Sequence, residues 1–272
     1  NNFSGVDAVI GPFYNSHAES AAQYLSKYNI PVISPLSKEL SKPIPNLFNA
    51  VPSQLQLNDA LMNYLYSKEG NIVAVISQKK NASKDYLKKN HSLVKFPLTD
   101  ENGAVTLEAL RAELVKDKKN FVILDSEKAG QVMNVTSNLM KLKEEFDIQL
   151  VVFEIYDTLD YEEIKMENLT ELKLLYPSVT KEPKTIEELV AYKKMLEANK
   201  LNPNYYVVKG FDVTFDTLLR ICQNEKFEET VQKYATDGVE NGFNYVNENG
   251  TWVNKAIYMQ YYDTDYKIKT AE

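Results

Sequence analysis

The sequence predicts an α/β protein of two lobes, each a parallel sheet flanked by helices. Three observations carry that expectation. The chain has 272 residues, more than one hydrophobic core usually spans. Runs rich in Val and Ile, too continuous for strands with one wet face, alternate with amphipathic stretches, as βαβ units require. Ser16, followed three residues later by Glu19, reads as a capping box that starts a helix where the first apolar run ends.

In chain order the strand-like runs are residues 6–10, 30–34, 72–77, 93–98, 121–125, 150–155 and 172–176. The clearest intervening helix has Ala18, Ala21, Ala22 and Leu25 at the spacing of one buried face. Two proline-marked segments, 42–52 and 177–183, break the rhythm and read as crossings between lobes. A third change follows Gly238, where 242–245 and 256–262 read as an antiparallel pair joined through Asn249-Gly250. The expected lobes are therefore discontinuous: 1–70 with 180–238, and 71–179 with 239–272.

Composition narrows the function. A hydrophobic content of 44% with 25% charged residues is that of a chain with a real core. The net charge of −7 gives no footprint for phosphate backbones, so nucleic acid is not an expected partner. No apolar run approaches the ~18 residues that cross a bilayer. Cys222 is the only cysteine, which rules out a disulfide within the chain. Its setting, Leu218-Leu219-Arg220-Ile221-Cys222, predicts core packing. His17 and His91 lack partners at metal-ligand spacing, the acidic stretch 157–167 lacks a calcium loop's glycine turn, and no glycine-rich phosphate loop exists. No metal, cofactor or catalytic residue is expected, and the reading is of a protein that is not an enzyme.

Ligands of open parallel sheets bind beyond the carboxyl ends of the strands, so the informative loops are 11–19 and 34–39. A helix N-terminus in the first favours an anionic group such as a carboxylate; the alternative is that Ser16 only caps its helix. In the second, Ser37 either bonds a ligand or closes a local turn.

The segments Val6-Asp7-Ala8-Val9-Ile10-Gly11-Pro12, Ile30-Pro31-Val32-Ile33-Ser34-Pro35 and Asn204 to Asp212, followed by Thr214 to Leu219, resemble type I periplasmic binding proteins of the leucine/isoleucine/valine-binding kind. Residues 35–38 and the tail 242–262 are similar to binding-protein-like domains that follow LysM repeats in Bacteroidetes envelope proteins. The resemblance implies an extracytoplasmic type I fold that holds a small polar ligand, amino-acid-like or wall-derived, in an inter-lobe cleft. It further implies a partner in an ABC-transporter permease or in peptidoglycan-associated proteins. Tyr14, Asn15, Ser16, Leu36 and Ser37 would form the first lobe's half of the site, with Tyr156 and Tyr176 facing them. Asp212 would pair with a ligand ammonium or cap its helix through Phe215 and Leu218. The loop after the first second-lobe strand reads Ser77-Gln78-Lys79-Lys80-Asn81-Ala82-Ser83, unlike the family's acidic, tyrosine-bearing amino-acid clamp. That departure favours the rival expectation, a ligand-free structural or signalling module. The first lobe also lacks its first two βα units, so added N-terminal strands or a dimer partner is expected at the 6–10 edge.

Overall fold

A computed structural model describes residues 5–39, 42–101, 103–181, 186–200, 204–264 and 266–271. The chain opens with β1 (Val9–Ile10), α1 (Asn15–Leu25), β2 (Val32–Ser34), β3 (Leu47–Asn49) and α2 (Gln54–Ser67). It continues through β4 (Asn71–Ile76), α3 (Asn81–Asn90), α4 (Leu107–Glu113), β5 (Asn120–Asp125), α5 (Ala129–Leu142) and β6 (Ile148–Val151). Next come α6 (Met166–Glu171), β7 (Leu175–Ser178), α7 (Ile186–Asn199), α8 (Tyr205–Ile221) and α9 (Phe227–Lys233). The tail holds β8 (Thr236–Asp237), β9 (Gly242–Phe243), β10 (Tyr245–Glu248), β11 (Thr251–Asn254), β12 (Tyr258–Tyr262) and β13 (Ile268–Thr270).

Contacts divide the chain into two units, residues 1–57 with 178–258 and residues 58–177 with 259–272. The first unit carries a sheet of order β1-β2-β3-β11-β10. Strands β1, β2 and β3 run parallel, β11 joins β3 in parallel, and β10 returns antiparallel. Ala18, Ala22 and Leu25 of α1 pack on Val32 and Leu47, the face that the alanine spacing predicts. Phe48, Phe227, Tyr245 and Trp252 pack in the sheet's other cluster, with Phe48 stacked on Trp252 at 5.6 Å. In the second unit the order is β13-β12-β7-β6-β5-β4, with β4 to β7 parallel. Val73, Val75, Val122, Leu124 and Leu150 are buried there against α4 and α5. Such burial is what continuous apolar runs demand.

Several expectations are corrected. Residues 93–98 form no strand; Lys95 makes an isolated parallel bridge to Val73. The segment 42–52 does not cross between units but supplies β3 to the first sheet, and the division falls inside α2. The tail stays in the first unit to Tyr258 rather than leaving at Gly238. Asn249-Gly250 does make a hairpin turn, yet its strands are β10 and β11, whereas 258–262 pairs with β13 in the other sheet. Cys222 is exposed, as are Leu218 and Leu219, while Arg220 is buried. The α8 face is therefore set by a buried ion pair between Arg220 and Asp216, one helical turn away at 2.9 Å.

Candidate functional site

In the first unit the turn after β1 runs through Gly11 at φ +97, a conformation glycine adopts without strain. This delivers Phe13 and Tyr14 to the surface, both well exposed, ahead of α1. Tyr14 is the N-cap residue of α1, and its side chain makes no capping hydrogen bond. The expected capping box is thus overturned: Ser16 lies inside the first turn, and Glu19 instead accepts from Asn15 Nδ2 at 3.2 Å and from the Lys42 amide at 2.9 Å. The positive end of the α1 dipole favours an anion at this turn.

The loop after β2 lies alongside. Tyr14, Asn15, Ser16, Ser37 and Lys38, together with Phe13 and the carboxylates Glu19 and Glu39, line one open cleft of about 520 Å³. Four of the expected residues, Tyr14, Asn15, Ser16 and Ser37, are thereby brought together, while Leu36 is absent from the lining. Ser37 Oγ accepts from the Glu39 amide at 3.2 Å, the local turn bond weighed as its alternative. Ser34, at the start of the 34–39 loop but not among the expected ligand residues, ends β2 with its side chain wholly buried and its hydroxyl without a hydrogen-bond partner among the described residues. A strand-terminal serine before proline was the available signal.

The second unit's residues behave differently from one another. Tyr156, after β6, donates its hydroxyl to Asp125 Oδ1 at 2.7 Å. Burial raises its pKa first, and the Asp125 bond and charge add to the rise. The Lys80 ammonium sits 4.4 Å from the centre of its ring and pairs with Glu127. Tyr176 lies within β7 and not beyond it, buried in the core with its ring edge-on to Tyr262 at 6.1 Å. It faces the unit's interior because its strand is covered, which removes it from the expected ligand set.

Asp212 is likewise corrected. The N-cap of α8 is Asn204, whose side chain accepts from the Tyr206 and Val207 amides at 3.0 and 3.1 Å. Asp212 is mid-helix and 0% exposed. Its oxygens accept from the Val239, Glu240 and Asn241 amides and from Asn241 Nδ2, all at 2.8–3.0 Å. A carboxylate with four donors is filled; it holds the 239–241 turn and has no exposed oxygen for a ligand ammonium. Among the described residues, no group of three or more His, Cys, Asp or Glu is placed to hold a metal ion.

Two helix-flanked sheets, each with a parallel centre and an antiparallel edge strand, are the architecture of the type I periplasmic-binding-protein fold. The model described as "Receptor family ligand binding region" matches residues 2–214, and the chain belongs to that family. Solved structures agree on the fold. A putative branched-chain amino acid ABC transporter protein from Rhodospirillum rubrum superposes with a TM-score of 0.63 at 11% identity, over 97% of this chain and 79% of that one. An ABC transporter substrate-binding protein from Desulfitobacterium hafniense, in complex with Leu, gives 0.54 at 12% identity, over 98% and 81%. Full-length LpoA from Haemophilus influenzae gives 0.57 at 10% identity, and this chain, matched over 98%, spans 48% of it. No curated protein matches the chain.

Proposed function

We propose that this chain is a non-catalytic binding module, working outside the cytoplasm, for a small polar ligand that is amino-acid-like or derived from the cell wall. The carrying observation is the first unit's cleft, where loops from two adjacent parallel strands meet at the start of α1. A helix start attracts carboxylate through its dipole, and the side chains of Tyr14, Ser16 and Ser37 line the same space. The leucine complex of the Desulfitobacterium hafniense protein supports amino acids as first probes, and an ABC permease is the partner that this reading implies. It also places an added strand, from a longer natural chain or a second copy, along the β1 edge.

Thermal-shift and calorimetric screening with L-leucine, L-isoleucine and peptidoglycan fragments tests the reading. A true ligand at about a hundred times its Kd stabilises by about 2.7 kcal/mol. Ser37→Ala and Tyr14→Ala should each weaken binding without lowering the melting temperature of the free protein. A flat response to every compound would count against this function.

A second reading, a structural or signalling module of the cell envelope that contacts protein or LysM-associated wall partners, is favoured by one observation. Three expected ligand groups are occupied internally: Asp212 by its turn, Tyr176 by the core, and Tyr156 by Asp125. Binding of purified peptidoglycan sacculi with no response to small ligands supports it.

A further inference from the structure

We propose that Asn249 is a site of covalent modification by deamidation, and that the Asn247 side chain sets its rate by holding the Gly250 amide. The inference is independent of the ligand-binding reading above.

The chain carries three Asn-Gly pairs, at Asn102, Asn241 and Asn249. Asparagine is a thermally labile residue, most of all before glycine, where no Cβ crowds the approach of the next backbone nitrogen to the carboxamide. Once the Gly250 amide loses its proton, its nitrogen attacks Asn249 Cγ. A C–N bond forms, the bond from Cγ to Nδ2 breaks, and the leaving nitrogen takes up a proton and departs as ammonia. Water then opens the five-membered imide at either carbonyl. One opening gives aspartate, the other isoaspartate, whose main chain runs through Cβ. Both replace a neutral amide with a carboxylate.

The fold treats the two described pairs in opposite ways; Asn102 lies outside the described residues. Asn241 is 1% exposed. Its Nδ2 donates to Asp212 Oδ2 and its Oδ1 accepts from Lys209 Nζ, both at 2.9 Å. Its carboxamide cannot turn towards the next nitrogen without breaking two buried hydrogen bonds. Asn249 is exposed at the tip of the β10–β11 hairpin, between the paired residues Glu248 and Thr251, so water reaches it. One restraint remains: Gly250 donates its N–H to Asn247 Oδ1 at 2.9 Å. A donated proton is harder to remove and its nitrogen is held in place, so Asn247 slows the step that makes the nucleophile. Asn249 and Gly250 have φ of 53 and 86, a geometry that the longer main chain of isoaspartate does not reproduce. The modified hairpin therefore loses its turn, next to the strand that stacks Trp252 on Phe48.

The test incubates the full chain, folded and in concentrated urea, in warm, mildly alkaline buffer, with peptide mapping by mass spectrometry and isoaspartate detection. In the folded chain aspartate and isoaspartate should accumulate at Asn249 while Asn241 stays intact; in urea both should convert. Asn247→Ala should speed conversion of Asn249 several-fold in the folded chain and leave the rate in urea unchanged. Asn247→Asp, which keeps the acceptor, should stay near the wild-type rate. Hydrogen exchange at the Gly250 amide should accelerate in the alanine variant alone. A folded wild type in which Asn249 stays intact while the urea sample converts overturns the site. Conversion of Asn241 as fast as Asn249 in the folded chain overturns it too, because burial then gives no protection. No change in Asn247→Ala, or equal acceleration in both Asn247 variants, overturns the role of Asn247, since the lost hydrogen bond then does not set the rate.

Discussion

At the scale of single residues, the buried polar groups of α8 govern much of the first unit. Asp212→Ala leaves three amides and the Asn241 side chain without an acceptor. A loss on the order of 3 kcal/mol is expected, measurable as a lower urea midpoint. The Asp216–Arg220 pair is 2% exposed on each side, and burial holds the Asp216 pKa up against the pull of Arg220. Removing one partner strands a charge and should cost about 3–5 kcal/mol, whereas Asp216→Leu with Arg220→Met should recover most of that loss. A double-mutant cycle measures the coupling. Lys209, buried and bonded through Nζ to Asn241 Oδ1 at 2.9 Å, has its pKa lowered from 10.5 to about 8 by burial, partly offset by Asp212. Between those values the unfolded chain keeps a proton that the folded one has released, so stability rises with pH there and is lost as pH falls through about 8. Lys209→Met should flatten the rise between pH 8 and 10 in chemical denaturation series. None of this was legible beforehand: Arg220 lies between apolar neighbours in sequence, and its burial follows from the carboxylate one helical turn away.

For the elements, local rules worked where a conformation has a single occupant and failed where several residues compete for it. Asn249 and Gly250 both have positive φ, 53 and 86, the pair that a two-residue hairpin turn requires, and the sequence placed that turn. Gly250→Ala should cost about 1 kcal/mol, because its φ is strained for alanine and the new Cβ meets Pro43 Cβ at 3.3 Å. A thermal melt of the variant checks this. The start of α1 was mislocated by two residues because Glu19 bonds Asn15 and the Lys42 amide rather than closing a capping box. Tyr14→Ser supplies the missing cap and should stabilise the free protein by about 0.5–1 kcal/mol. By occupying the amides that a ligand carboxylate needs, it should also weaken binding of 4-methylpentanoate, which calorimetry would show.

Across the whole molecule, each unit is assembled from separate stretches of chain. Truncation after Pro177 removes α8, α9, β10 and β11 from the first unit, and with them the aromatic partners of Phe48. Limited proteolysis of that fragment should degrade residues 1–57 quickly, whereas residues 58–177 keep the four-strand parallel core of the second unit. By itself the sequence determined the fold class, the main strands, the packed face of α1 and the loops that line the first unit's cleft. These follow from hydrophobic periodicity and from residues restricted to few backbone conformations, both of which are local properties. The tertiary structure alone decided which sheet takes the tail strands, that residues 47–49 form a strand, and that Tyr176 and Asp212 turn inward. It also decided that Asp125 ends β5 with one oxygen unmatched. Strand pairing and carboxylate partners join positions dozens to hundreds of residues apart, and no local pattern records which distant donor reaches a given acceptor.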